Sequence, residues 1–449
     1  MSEAAATPTP RPVRSGAVLM TIAQVVTALG GFLTTIVVAR ILGAEGLGAY
    51  TVALSLLLIL GAIGSLGLEN GIAWSVASGR WSPRAAFRET QALALALGAA
   101  GMAVVLAARL AFPSAFGGMS VGVTLIAAAG LPFMISWQYA RWLAVARDRY
   151  EAFVVPPALV TVLALILCAV GAAVDDVRGM VIGLTVAYAL TALVALADAA
   201  RSRLPAAGPA GRAPLGEAVG FGIRANAANA LQLLNFRIDL FVLSAVVSGD
   251  ELGTYATAVS VTSVMFLMPQ TLAQIVFPRV AALSADAGGH AQRAVVEAKS
   301  LRHVSLLTLV SVPAVAAGMV VAIPLLFGRD FDDAIVLGLI LLPGCALYGI
   351  ASVLAATING RGLPGYSLRA AAISTPIALA LYAALIPTLG ETGAALASTV
   401  SYAVNFAITA VYYRRATGDR VAPLLVPTRD EVADLRALIQ AMSSDRQAR

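Results

Sequence analysis

Residues 220–255 read GFGIRANAANALQLLNFRIDLFVLSAVVSGDELGTY, a run long enough to cross a lipid bilayer that nevertheless carries Arg224, Asn226, Asn229, Gln232, Asn235, Arg237 and Asp239. Charge inside such a span is costly, so it marks a function or a partner. At about 100° per residue, Arg224, Asn229, Gln232, Asn235 and Asp239 share an arc of roughly 140° on one helix, with Asn226 and Arg237 on its flank and the leucines and phenylalanines largely elsewhere. Lipid offers such an arc no hydrogen-bonding partner. It must face a water-filled cavity or the inside of a helix bundle.

The rest of the chain belongs to the same solvent. Of its 449 residues 59% are hydrophobic and only 12% charged, and the mean hydropathy is +0.86, which indicates an all-α polytopic membrane protein rather than a soluble domain. The net charge of +6 comes from arginines in short loops between apolar runs, so it reads as orientation in a membrane and excludes nucleic acid as a partner. Cys168 and Cys345 sit in apolar spans with no metal-ligand spacing, and His290 and His303 share one loop. With no phosphate loop, nucleophile elbow or paired carboxylates, the sequence points to no catalysis, cofactor or metal.

Apolar windows of about 20 residues recur and predict twelve helices, near 16–40, 47–77, 88–110, 120–143, 152–174, 179–199, 217–247, 252–283, 301–327, 334–358, 365–388 and 392–414. One set of loops holds most of the arginines, among them Arg80, Arg84, Arg147, Arg149, Arg201, Arg293, Arg361, Arg414 and Arg415, and the other set holds mainly acids such as Asp175, Asp250, Glu251, Asp333 and Glu391. Both termini are therefore expected in the cytoplasm. Trp74, Trp81, Trp137 and Trp142 then fall at cytoplasmic helix ends, as an aromatic belt requires.

The chain also repeats. Leu47, Gly48, Tyr50, Ala53 and Ser55 match Leu252, Gly253, Tyr255, Ala258 and Ser260, and Thr185, Val186, Tyr188 and Ala189 match Thr399, Val400, Tyr402 and Ala403. Two pseudo-symmetric six-helix bundles follow, over 15–200 and 217–415, in the same membrane orientation, with a substrate site expected between them near the midplane. Residues 1–14 read as a disordered tail, 201–216 as a Pro/Gly/Arg-rich linker and 416–449 as a cytoplasmic tail. In that tail a capping-box pattern, Thr428 and Glu431, precedes a short amphipathic helix with Val432, Leu435, Ile439 and Met442 on one face.

Several of these stretches resemble the oligosaccharide flippase family of the multidrug, oligosaccharidyl-lipid and polysaccharide export superfamily. They are NFRIDLFVLS (235–244), ELGTY (251–255), VFPRV (276–280), ARILGAEGLGAY (39–50), SLGL (65–68), LFG (326–328), NGRG (359–362) and GETGAA (390–395). The resemblance covers about residues 15–415. It implies a flippase of the bacterial cytoplasmic membrane that moves a polyprenyl-pyrophosphate-linked oligosaccharide to the outer leaflet by alternating access. Such a protein is not an enzyme, and its partners are the lipid-linked sugar, the bilayer and other membrane proteins of polysaccharide assembly. A multidrug or cation antiporter of the same architecture is the alternative, and a membrane polysaccharide polymerase or ligase a more distant one.

The residues fit the first reading. Arginine keeps its charge when desolvated and binds phosphate in a bidentate fork, which makes Arg237 and Arg224 the candidates for the pyrophosphate. Asn229, Gln232 and Asn235 can hydrogen-bond sugar hydroxyls, and Gln24, Gln270 and Gln274 can line the same cavity or serve helix packing. Arg40, close in sequence to Glu45, either anchors a helix end or binds substrate. Asp239 lies about 200° around the helix from Arg237 and needs a partner from elsewhere; it and Glu69, beside Asn70, serve either ion coupling or an ion pair. Trp137, Tyr139, Arg141 and Trp142 either stack a sugar or belong to the interfacial belt.

Overall fold

The computed structural model describes residues 13–147, 149–202, 204, 215–285, 289–428 and 431. Among these residues the secondary structure is helical throughout. In chain order the helices are α1 (Val13–Gly64), α2 (Leu68–Ala77), α3 (Pro83–Ala111), α4 (Val121–Ala128), α5 (Gly130–Val145), α6 (Tyr150–Arg201), α7 (Leu215–Ser244), α8 (Gly249–Thr262), α9 (Leu267–Ala285), α10 (His290–Leu326), α11 (Asp333–Gly360), α12 (Pro364–Thr417) and α13 (Val421–Leu424).

Eight segments among the described residues are long and apolar enough to cross a membrane. Three of them carry a non-helical break near the middle, at Gly43 in α1, at Asp175 and Asp176 in α6, and at Gly390 in α12. Gly43 and Gly390 have φ of 68° and 56°, in the left-handed region that glycine enters without steric cost.

The helix boundaries differ from those predicted in four places. The expected helix over 47–77 breaks at 65–67, where Leu66 and Gly67 have positive φ; the one over 120–143 pauses at Ala129; and the one over 252–283 tightens into a 3-10 turn at Ser263–Phe266. His290, outside the helix predicted over 301–327, belongs to α10 together with His303. The stretch HAQRAVVEAKS, which contains neither Gly nor Pro, simply continues the helix beyond its apolar part. Of the predicted tail, Glu431 Oε2 accepts from the Thr428 amide at 2.8 Å and Glu431 pairs with Arg302 at 3.8 Å. Residues 432–449, where the amphipathic helix is expected, lie outside the described residues, as do 1–12 and most of 201–216.

The helices form two compact units, one of residues 1–41, 56–111 and 119–226, the other of 42–55, 112–118 and 227–449. In the first, Leu68, Ile72, Ala86, Ile135, Tyr139 and Leu143 form a buried cluster on α2, α3 and α5. In the second, Leu301, Val304, Ile350, Leu354, Ile358 and Tyr413 do the same on α10, α11 and α12. Repeated residues occupy repeated environments. Thr185 donates to the Ile126 carbonyl at 2.8 Å in the first unit, and Thr399, 214 residues later, donates to that of Ile340, also 214 later, at 2.6 Å in the second.

Candidate functional site

The polar arc of α7 divides along its length. Arg224 and Asn226 belong to the first unit, and Asn229, Gln232, Asn235, Arg237 and Asp239 to the second. Arg224, Asn229 and Gln232 are exposed, Arg237 is half-buried, and Asn235 and Asp239 are 5% and 2% exposed. The arc is thus not uniformly wet, as its periodicity alone suggested: its C-terminal end is taken up by packing within the second unit.

That packing is a chain of hydrogen bonds. Tyr255 donates to Asp239 Oδ2 at 2.7 Å and the Leu240 amide to Oδ1 at 2.9 Å. The Ser398 hydroxyl lies 3.1 Å from the phenolic oxygens of both Tyr255 and Tyr382. Since the one proton of Tyr255 goes to the carboxylate, Ser398 must donate to Tyr255 and accept from Tyr382, so the donors run Tyr382, Ser398, Tyr255 and end on Asp239. Asn235 is held alongside, its side chain accepting from Ser401 at 3.3 Å. Arg237 is the cation whose field reaches the Asp239 carboxylate.

Aromatic rings fix this orientation of α7. Phe236 packs edge-on against Tyr348 of α11 and Tyr402 of α12, with centroids 4.8 and 5.6 Å away, geometries that suit the ring quadrupoles. Gln270 is half-buried and Gln274 exposed on α9.

In the first unit, Glu69 is 8% exposed. Ser65 donates to its Oε1 at 3.4 Å, while Oε2 has no hydrogen-bond partner. Tyr139 donates to the Ser65 carbonyl at 2.8 Å, in the interrupted stretch between α1 and α2. Arg141 lies over the rings of Phe153 and Trp137, at 3.9 and 5.5 Å, and its charge acts on Glu69. Gln24 is half-buried and Arg40 exposed. Arg224 folds back on its own helix, donating to the Gly220 carbonyl at 2.9 Å.

The structure therefore joins Asn235 with Asp239 and leaves Arg224, Asn229 and Gln232 on an accessible surface. Tyr382, Ser398 and Ser401 escaped the sequence reading. A signal was present: Ser398, Ser401 and Asn405 recur at helical spacing in an otherwise apolar segment.

A family model described as polysaccharide biosynthesis protein matches residues 37–336. The probable low-salt glycan biosynthesis flippase Agl15 of Haloferax volcanii is 26% identical over 178 residues, which is 39% of this chain and 37% of that protein; the match thus spans little more than a third of the relative's length. In fold the chain is similar to the lipid II flippase MurJ in an inward closed conformation, with a TM-score of 0.68 and 14% identity, covering 91% of this chain and 89% of that one. It is also similar to an inward-facing multidrug resistance MATE family transporter of the MOP superfamily, with a TM-score of 0.66 and 16% identity, covering 91% and 98%. The fold is that of MOP superfamily membrane proteins.

Proposed function

We propose that this chain, which belongs to the polysaccharide biosynthesis protein family, moves a polyprenyl-pyrophosphate-linked oligosaccharide from the cytoplasmic to the outer leaflet by alternating access. The observation that carries this reading is α7. It is 30 residues long, yet it is absent from the segments apolar enough to span a membrane, because its side chains include Arg224, Asn229, Gln232, Asn235, Arg237 and Asp239. With the three broken segments counted as two crossings each and α7 added to the eight, the chain crosses the membrane twelve times, both termini being cytoplasmic.

Each side chain of the arc short of its buried end has work to do in that reading. Arg224 and Arg237 neutralise the pyrophosphate, whose charge would otherwise enter a low-dielectric medium. Asn229 and Gln232 present amides to sugar hydroxyls. No bond of the substrate is made or broken, so the task is to bind, neutralise and release.

The test is transport itself. Purified protein is reconstituted with a lipid-linked oligosaccharide whose glycan is scored by a membrane-impermeant glycosidase. Wild type should bring the glycan to the far leaflet, and Arg237→Ala and Arg224→Ala should slow this at least about tenfold, the loss of one charge-assisted phosphate contact. Arg237→Lys should restore only part, since it keeps the charge and loses the planar fork. Failure of wild type to move the glycan, or full activity in both alanine variants, would refute the proposal.

A further inference from the structure

The two ends of α12 meet in the second unit. Tyr366 in its first turn and Tyr412 near its last stack with ring centroids 5.1 Å apart and planes at 21°. The guanidinium of Arg369 lies 5.9 Å from the Tyr366 ring, and that of Arg415 lies 5.6 Å from the Tyr412 ring. Tyr412 is anchored in the buried cluster with Leu301, Ile358 and Tyr413, whereas both arginines are exposed.

Several other arginines pair with carboxylates. Arg80 pairs with Glu217, Arg149 with Asp198, Arg302 with Glu431 and Arg361 with Glu297. Among the described residues Arg369 and Arg415 contact the two rings and no carboxylate. A guanidinium within about 6 Å of an aromatic face is drawn to it while its N–H fork stays open for an anion.

The surroundings identify the anion as part of an amphiphile. Gly390 divides α12 into two legs of about 26 residues, each ~39 Å long at 1.5 Å per residue and long enough to cross the hydrocarbon, so both ends lie at one face of the membrane. Four and eight residues beyond Arg369, Ile373 and Ile377 are 45% and 38% exposed; four before Arg415, Val411 is 52% exposed. Each arginine therefore caps an outward-facing apolar stripe, since residues four apart share a helix face.

We propose that Arg369, Arg415 and the Tyr366–Tyr412 stack bind the phosphate of an anionic membrane lipid whose chains lie along these stripes. The site uses none of the α7 residues and does not depend on the transport reading. On the orientation proposed above, it lies in the inner leaflet.

The full-length protein in a zwitterionic detergent is titrated with dioleoyl-phosphatidylglycerol, with dioleoyl-phosphatidylcholine or with inorganic phosphate, and its unfolding temperature is followed. Phosphatidylglycerol should raise this temperature to a plateau, while phosphatidylcholine and phosphate at equal concentration should not. In the double variant Arg369→Ala/Arg415→Ala, which should unfold like wild type without lipid because both side chains are exposed, half-saturation should need at least about tenfold more phosphatidylglycerol. Arg80→Ala, which removes an arginine elsewhere, should leave the titration unchanged. Equal effects of the two lipids, equal binding by the double variant, or an equal effect of inorganic phosphate would each overturn the proposal, the last by showing a site for soluble anions.

Discussion

Asp239 illustrates how a carboxylate is kept in an apolar bundle. It is 2% exposed, and its two oxygens accept from Tyr255 and from the Leu240 amide. An ionised carboxylate needs donors, and Tyr255 supplies the shortest of these bonds. Replacing Tyr255 by Phe removes that donor with little change in shape, leaving Oδ2 buried beside Ser398. The expected cost is about 1–3 kcal/mol, the usual penalty for a stranded buried polar group, read as a lower unfolding temperature in detergent. Asp239→Asn in the same background should recover part of the loss, since a neutral amide is cheaper to bury than a carboxylate. A Tyr255→Phe protein as stable as wild type would show that the bond contributes nothing. The sequence disclosed that Asp239 needed a partner and that Arg237, two residues away, pointed elsewhere. It did not disclose that the partner was a tyrosine only 16 positions downstream, because a phenol reads as an ordinary apolar residue until its neighbours are known.

At the level of elements, close approach decides which glycines matter. In the second unit the part of α1 just after its break at Gly43 meets α8 backbone to backbone. A Cβ on Gly253 would lie 1.9 Å from the Ala44 carbonyl oxygen, and one on Gly48 would lie 2.7 Å from that of Gly249. The contact is reciprocal, because residues 44 and 48 stand to 249 and 253 as repeat partners. A Cβ on Gly318 in α10 would meet nothing within 4 Å. Gly253→Ala should therefore destabilise by about 1–3 kcal/mol through overpacking against backbone that cannot yield. Gly318→Ala should instead stabilise by up to about 1 kcal/mol from helix propensity. Thermal unfolding of the two variants side by side checks both signs, and a stable Gly253→Ala would mean that the helices part easily there. The repeated Leu-Gly-x-Tyr was visible in the sequence. Its glycine could have served a turn or a packing seam, and only the neighbouring carbonyl tells which.

For the molecule as a whole, the arginine asymmetry makes a prediction about sidedness. Asp250 in the first turn of α8 and Ala291 in the first turn of α10 are exposed, and the native Cys168 and Cys345 are buried, so single cysteines introduced at these positions report without a reactive background. In intact cells Asp250→Cys should react with a membrane-impermeant maleimide, and Ala291→Cys should react only after permeabilisation. The opposite pattern would invert the topology. What the sequence determined by itself was the solvent, the helical class, the repeat and the identity of the polar helix, because composition, period and offset are properties of a linear string. It overestimated the uniformity of the helices, missing the interruptions at 65–67 and Ala129, which apolar windows cannot register. Tertiary structure decided that the arc of α7 divides into an accessible stretch and a buried one. It also decided that Ser398, Tyr382 and Tyr255 end on Asp239, and that the two arginines of α12 share a stacked pair of tyrosines. The physical reason is common to all three: in a helix bundle a polar side chain takes its meaning from what packs against it, and residues that meet across helices can lie far apart along the chain, as Asn235 and Ser401 do by 166 positions.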